Sequence, residues 1–326
     1  MKFSLSAEQQ AFATSLDDLL AASDVPAVHR AWADGDTAPG VELWSRLAEL
    51  GVTALAVPDE LGGLDGTPLD LAVAFERLGY HAVPGPWIET AALAPALLRK
   101  TDAEGILAAV AEGDARVTFA LPPAVPYALD CDVSTHAYIV ADHALSVGRT
   151  VEALRSVDPA RRLHTLAPEM AISVLDEQAI QLGLDNAALA CAATLVGAGE
   201  RMLATSIDYV GARRQFGRVI GEYQAIKHAL ADVRVALDFA RPLVHGAARE
   251  LSSGSTSASR DVSAAKVLAS AAADRAARTA LQVHGAIGYT LECDLSIWIL
   301  KTRALVGAWG TPAAHRARVL DSLTRS

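Results

Sequence analysis

The sequence predicts a mainly α-helical chain with a reduced β segment in its middle, on three observations. Apolar residues recur at helical spacing near both ends. From about residue 116 to residue 180 the pattern changes to short apolar runs broken by proline, aspartate and glycine, as in strands. With 326 residues, 52% of them hydrophobic, the chain can bury a large core and divide into two or three domains. The expected units are a helical one over 1–113, a shortened β one over 114–182 and a four-helix bundle over 183–326.

Each element has a local reason. Ser6-Ala7-Glu8-Gln9 has capping-box spacing and is followed by Phe12, Leu16, Leu19 and Leu20 at helical period, so the chain opens with an amphipathic helix. Trp44, Leu47 and Leu50 form the apolar face of another helix, which Gly51 stops. Val57-Pro58-Asp59-Glu60-Leu61-Gly62-Gly63 then turns the chain into a helix through Phe75 and Leu78. Runs at 117–121, 137–140 and 171–175 read as strands. Long helices are expected near 187–213, 222–251, 261–284 and 295–305, with Ser252-Ser253-Gly254-Ser255-Thr256-Ser257 as a connector between the second and third.

Several classes of function are disfavoured. A net charge of -10 is the wrong sign for a phosphate backbone, so no nucleic-acid partner is expected. No run approaches a membrane span; the longest uncharged stretch, 186–199, reads as a buried helix, and the polar start does not read as a signal peptide. Cys131, Cys191 and Cys293 are odd in number and far apart, which signals neither a disulfide framework nor a zinc site and places the chain in a reducing cytoplasm. His284 and His315 lack metal or nucleophile spacing and are expected to be structural, and no metal is expected.

Two segments carry chemistry. Residues 211–224 read GARRQFGRVIGEYQ and residues 282–289 read QVHGAIGY. A guanidinium such as that of Arg213 can bind two phosphate oxygens at once, which a lysine cannot. The alternative is that Arg213 and Arg214 are solvated cations at a helix end, and that Gly285 and Gly288 are turn glycines between helices.

Together the segments resemble the R-x-x-F-G and Q-x-x-G-G-x-G-[FY] motifs of the acyl-CoA dehydrogenase family. The order of a helix ending LAELGV, a VPDELGG turn and a further helix resembles that family's N-terminal domain. The resemblance implies FAD, with Arg213 against the pyrophosphate, Phe216 near the adenine, Gln224 following, and Gln282 and Gly285 approaching the dinucleotide. Ala286 replaces the second glycine of the motif, putting a methyl group at a close approach.

The departures matter as much. The family's T-E-P-x-x-G-S-D and K-x-W-I-T segments, which wrap the flavin ring, are absent, and Pro122-Pro123-Ala124-Val125-Pro126 stands near the first. The family removes a thioester α-proton with a carboxylate. At the E-G-T position this chain has Trp309-Gly310-Thr311, and at the alternative base position it has Ala187. Glu292 matches a loop acid whose role in the family is structural, and Asp185 reads as an acid at a helix N-terminus.

The chain is therefore most similar to the short, degenerate subunits of actinobacterial heteromeric acyl-CoA dehydrogenases. That resemblance implies an α2β2 assembly with a catalytically intact partner chain, FAD shared across the subunit interface, and a bulky acyl-CoA such as a steroid side-chain thioester. Two alternatives stay open: a self-sufficient flavoenzyme with Glu292 as relocated base, and a non-redox acyl-CoA binder or scaffold on the same fold.

Overall fold

A computed structural model describes residues 4–215, 217–290 and 293–325. The chain is mainly helical with a small sheet, as its periodicity predicts. Helix α1 (Ala7–Ala21) starts where Ser6 and Gln9 close a reciprocal capping box. Helices α2 (Val25–Ala33) and α3 (Ala38–Glu49) follow, and Gly51 ends α3 at φ +89°. A short 3-10 turn at Asp59–Leu61 runs into Gly62 and Gly63. A Cβ on Gly63 would stand 1.9 Å from the Val57 carbonyl oxygen, so this turn admits only glycine there. Helix α4 (Pro68–Tyr80) is capped by Thr67 and Asp70. A π-helical stretch, Ile88–Leu93, leads into α5 (Ala94–Leu98), and α6 (Ile106–Glu112) completes the first helical layer. Trp44 and Trp87 stack at 3.8 Å between these elements.

Five strands form one sheet: β1 (Val117–Ala120), β2 (Ala128–Leu129), β3 (His136–Ala141), β4 (Ala144–Leu154) and β5 (Leu163–Val174). Their order is β1-β3-β4-β5-β2, with β1 and β3 parallel and the other pairs antiparallel. The outer strands meet where the Leu129 N–H donates to Thr118 Oγ1 at 2.9 Å. Thr90 Oγ1 accepts from the Val117 N–H and donates to the Val117 carbonyl, both at 2.9 Å.

Helix α7 (Glu177–Ala212) is capped by Asp176 and begins ten residues before the apolar periodicity does, because its first turns are polar and half-exposed. It is long and apolar enough to cross a membrane by length and composition alone, but residues 187–199 are all buried, against α4, α8 and α9. A hairpin of β6 (Arg214–Gln215) and β7 (Arg218–Val219) follows, then α8 (Gln224–Ser252) and α9 (Ala258–His284). The last helical run is broken in two, α10 (Leu295–Gly307) packing on α7 and α9, and α11 (Pro312–Thr324) on α9.

Helices α4 and α7 cross at backbone contact. A Cβ on Gly79 would lie 2.1 Å from the Thr194 carbonyl oxygen, and one on Gly197 would lie 1.9 Å from that of Glu76. The early start of α7 also corrects the expectation for Asp185. It lies in the helix interior, 2% exposed, where it accepts hydrogen bonds from Arg318 at 2.5 Å and from Ser259.

Candidate functional site

One end of the bundle collects the motif residues. Arg213 caps the C-terminus of α7, its N–H on the Tyr209 carbonyl, and its own carbonyl accepts from the Ile220 N–H, each at 2.9 Å. The β6–β7 hairpin turns at Gly217 (φ +83°), and Gln224 opens α8. Helix α9 ends at the same place, because Tyr209 stacks on His284 at 4.3 Å and its hydroxyl reaches the His284 carbonyl at 3.5 Å. His284 is thereby structural, its Nδ1 2.8 Å from the Ala280 carbonyl. Gly285 has φ +63° and ψ -139°, which only glycine adopts readily, and the side where a Cβ would point is open. Arg213, Gln224, Gln282, Gly285 and Ala286 are thus gathered at one end, all exposed to solvent. Phe216 and Glu292 lie outside the described residues.

The second location is built around Trp309. The residue has φ +56°, Gly310 has φ +100°, and Thr311 caps α11. This turn is held from below. His315 is 3% exposed, with Nδ1 3.1 Å from Ser263 Oγ and Nε2 3.0 Å from the Trp309 carbonyl. A Cβ on Gly310 would stand 2.5 Å from that ring. Lys266, fully buried, donates to the last carbonyls of α10, Leu305 at 3.0 Å and Val306 at 3.3 Å. Ala187 is fully buried in α7, a methyl group with no chemistry to offer.

Trp309 walls a cavity of about 360 Å³, together with the proline turn at Ala124–Tyr127, the end of α10, and Leu163. Two charged side chains line it, Glu89 and Arg161, and Glu89 is the one carboxylate among its described lining residues. Sequence reading passed over both. Glu89 did leave a signal, being the one charged residue between Ala82 and Leu98; Arg161, in a loop beside Arg162, left none. Burial pushes the Glu89 carboxyl up, opposed by the Arg161 charge, its own backbone N–H and Lys301. Glu89 and Arg161 also line a smaller inner cavity of about 30 Å³ that reaches Lys301. There Lys301 donates to the Val83 carbonyl at 3.2 Å and lies 3.9 Å from the fully buried Asp158, which stands 3.6 Å from His29.

The buried histidines set a pH dependence. Burial holds His29 and His315 down to about 4 from an ordinary 6.5. Both are neutral in the folded chain, while the unfolded chain takes up their protons below pH 6.5. Stability is therefore full above that value and falls as pH drops toward 4, by at most about 3 kcal/mol for each histidine. Urea midpoints measured between pH 7 and 4.5 should decline, and the His315→Gln variant should decline less steeply than the parent.

Comparison with known proteins agrees with the motifs. The acyl-CoA dehydrogenase C-terminal domain family matches residues 178–324, and the N-terminal domain family matches residues 6–105. Acyl-CoA dehydrogenase IpdE2 of Mycobacterium tuberculosis is 33% identical over 298 residues, covering 89% of each chain, so the two are of similar length. Among solved structures, the ChsE4-ChsE5 complex from Mycobacterium tuberculosis matches with a TM-score of 0.85 at 21% identity over 100% of both chains. A steroid ACAD, Tcur3481-Tcur3483, matches at 0.86 and 20% identity over 98% of both. With both terminal domains matched and a relative aligned along nearly its whole length, the chain belongs to the acyl-CoA dehydrogenase family.

Proposed function

We propose that this chain is the accessory subunit of a heteromeric FAD-dependent acyl-CoA dehydrogenase, lending the adenine and pyrophosphate half of an FAD site to a catalytically intact partner chain in an α2β2 assembly. The observation that carries the reading is a contrast within one molecule. The motif side chains stand together and open at the bundle end, while the base position of the family is filled by Trp309 in a tightly held turn. The two-chain ChsE4-ChsE5 neighbour supports a partner, and the Tcur3481-Tcur3483 neighbour supports a steroid-type acyl-CoA as substrate. Free thiols at Cys131, Cys191 and Cys293 suit a cytoplasmic setting.

The residues present fit one half of the cofactor. Arg213 supplies a fork for the pyrophosphate, and the open side of Gly285 lets a ligand approach the end of α9, with Gln224, Gln282 and Ala286 around it. The ring half does not fit as well, since the family's ring-wrapping segments are absent from the sequence and Trp309 stands at the aligned base position. Bound FAD supplies a hydride acceptor for the β-carbon of an acyl-CoA thioester. Trp309 offers only an indole N–H donor, so it cannot take the α-proton, and the carboxylate comes from the partner.

The test is the flavin content of the chain purified alone and co-purified with a partner dehydrogenase chain. The expected result is a colourless protein alone and about one flavin per two chains in the mixed assembly. Full occupancy in the chain alone would overturn the reading. Within the assembly, Arg213→Lys removes the bidentate geometry and keeps the charge. It should weaken FAD binding by about tenfold to a hundredfold, measured by flavin release on dilution.

A further inference from the structure

The cavity beside Trp309 has the make-up of a ligand site rather than a packing defect. Its size of about 360 Å³ falls in the range of small-molecule pockets. Its walls are largely apolar, from Val125, Pro126, Leu163, Ala304, Ala308 and Trp309. A dry apolar void would need no polar group, yet two charged side chains converge on this one. Glu89 is 4% exposed, and none of the described ion pairs engages its carboxyl. A carboxyl so placed retains hydrogen-bonding capacity directed at whatever fills the cavity.

Arg161 gives the site its sign. None of the described ion pairs engages its guanidinium, whose charge acts on Glu89 across the cavity. The other nearby charges have nearer partners: Lys301 faces Asp158 and the Val83 carbonyl, and the buried Asp130, which also feels Arg161 and Glu89, pairs with Arg162 at 3.3 Å. Arg161 thus stands at the polar end of an apolar chamber as a cation that none of the described ion pairs engages, and burial, the largest influence on Glu89, favours that carboxyl's neutral form. The planar donor fork of Arg161 matches a carboxylate, and the neutral form of Glu89 beside it adds an O–H donor to the same group.

We propose that this cavity binds an apolar molecule ending in a carboxylate, with the carboxylate between Arg161 and Glu89 and the apolar body against Trp309. The ligand is either a free apolar acid or the far end of an acyl-CoA whose acyl group carries a second carboxylate. The second source rests on the acyl-CoA dehydrogenase reading, whereas the site itself does not. Trp309 then has a role of its own at the former base position: it closes the chamber and supplies the flat apolar surface on which the body lies.

The test is calorimetric titration of the full chain, alone and in its co-purified assembly, with octanoate and with 1-octanol. The two share a body and differ in the end group. Octanoate should bind at least about tenfold more tightly than the alcohol. Trp309 fluorescence should change on binding, and Trp309→Phe should remove that change. Arg161→Gln should erase the preference for the acid, while Glu89→Gln, which keeps a donor, should retain most of it. Tighter binding of octanedioyl-CoA than of octanoyl-CoA would identify the acyl-CoA source; equal binding of those two, with octanoate still preferred over octanol, would identify the free acid. Equal affinity for octanoate and octanol, or no binding of either, would overturn the proposal. Flavin content of the Arg161→Gln assembly, measured in parallel, keeps the two readings apart, since the accessory-subunit reading fails on flavin and this one fails on the acid.

Discussion

Gly197→Ala should cost about 3 kcal/mol or more of folding stability, among the largest effects of any single methyl group in this protein. The added Cβ would stand 1.9 Å from the Glu76 carbonyl oxygen and 2.8 Å from the Tyr80 N–H, both backbone atoms of α4. Backbone cannot step aside as a side chain does, so α4 and α7 would have to separate along a buried face. Gly183→Ala in the same helix is the control. Its Cβ would meet the tips of Leu93 and Leu97 at 2.9 Å and 3.1 Å, which can re-rotate. The gain in helix propensity offsets part of that strain, leaving a net change within about 1 kcal/mol. Urea denaturation of the two variants side by side makes the comparison; equal losses would mean that α4 and α7 do not meet backbone to backbone.

The second large effect is expected at Asp158. The carboxylate is fully buried, accepts from the Ala160 N–H at 3.0 Å, and balances Lys301 at 3.9 Å. Asp158→Ala removes the nearest counter-charge of the buried Lys301, leaving the more distant Asp130 and Glu89, at a cost of about 3–5 kcal/mol. Burial already pushes the Lys301 amine down, with Asp158 opposing that shift. The loss should therefore shrink when Lys301 is also replaced: the Asp158→Ala/Lys301→Met double variant should recover a substantial part of the stability. A double variant no more stable than the single one would mean that the two charges do not act as a pair.

Much of this architecture was legible in the sequence where local chemistry decides the outcome. The Ser6–Gln9 box, the Gly51 stop and the Val57–Gly63 turn each depend on residues within a few positions of one another, and each is in place. Elements that depend on distant partners were harder to read. The polar first turns of α7 carry no apolar stripe, so periodicity alone starts the helix ten residues late and makes Asp185 read as a terminal acid. The break between α10 and α11 depends on His315 of α11 folding back on the Trp309 carbonyl and on Lys266 reaching across from α9 to the end of α10. Arg213, Gln224 and Gln282 could be named from the resemblance to the family's motifs, but their meeting at one end rests on the Tyr209–His284 stack. Glu89 and Arg161 share a cavity only because the sheet folds against the first helical layer.

The way the small sheet closes bears on whether its outer strands can pair with another chain. A sheet with fewer strands risks leaving an outer strand bare, and a bare strand invites pairing with another chain. Here the N–H and carbonyl of Val117 at the start of β1 are taken by Thr90, and β2 is tied to β1 through Thr118. Two hydroxyl groups thus stand in for a neighbouring strand. Replacing Thr90 with valine would free both backbone groups of Val117 and open the edge where aggregation could begin.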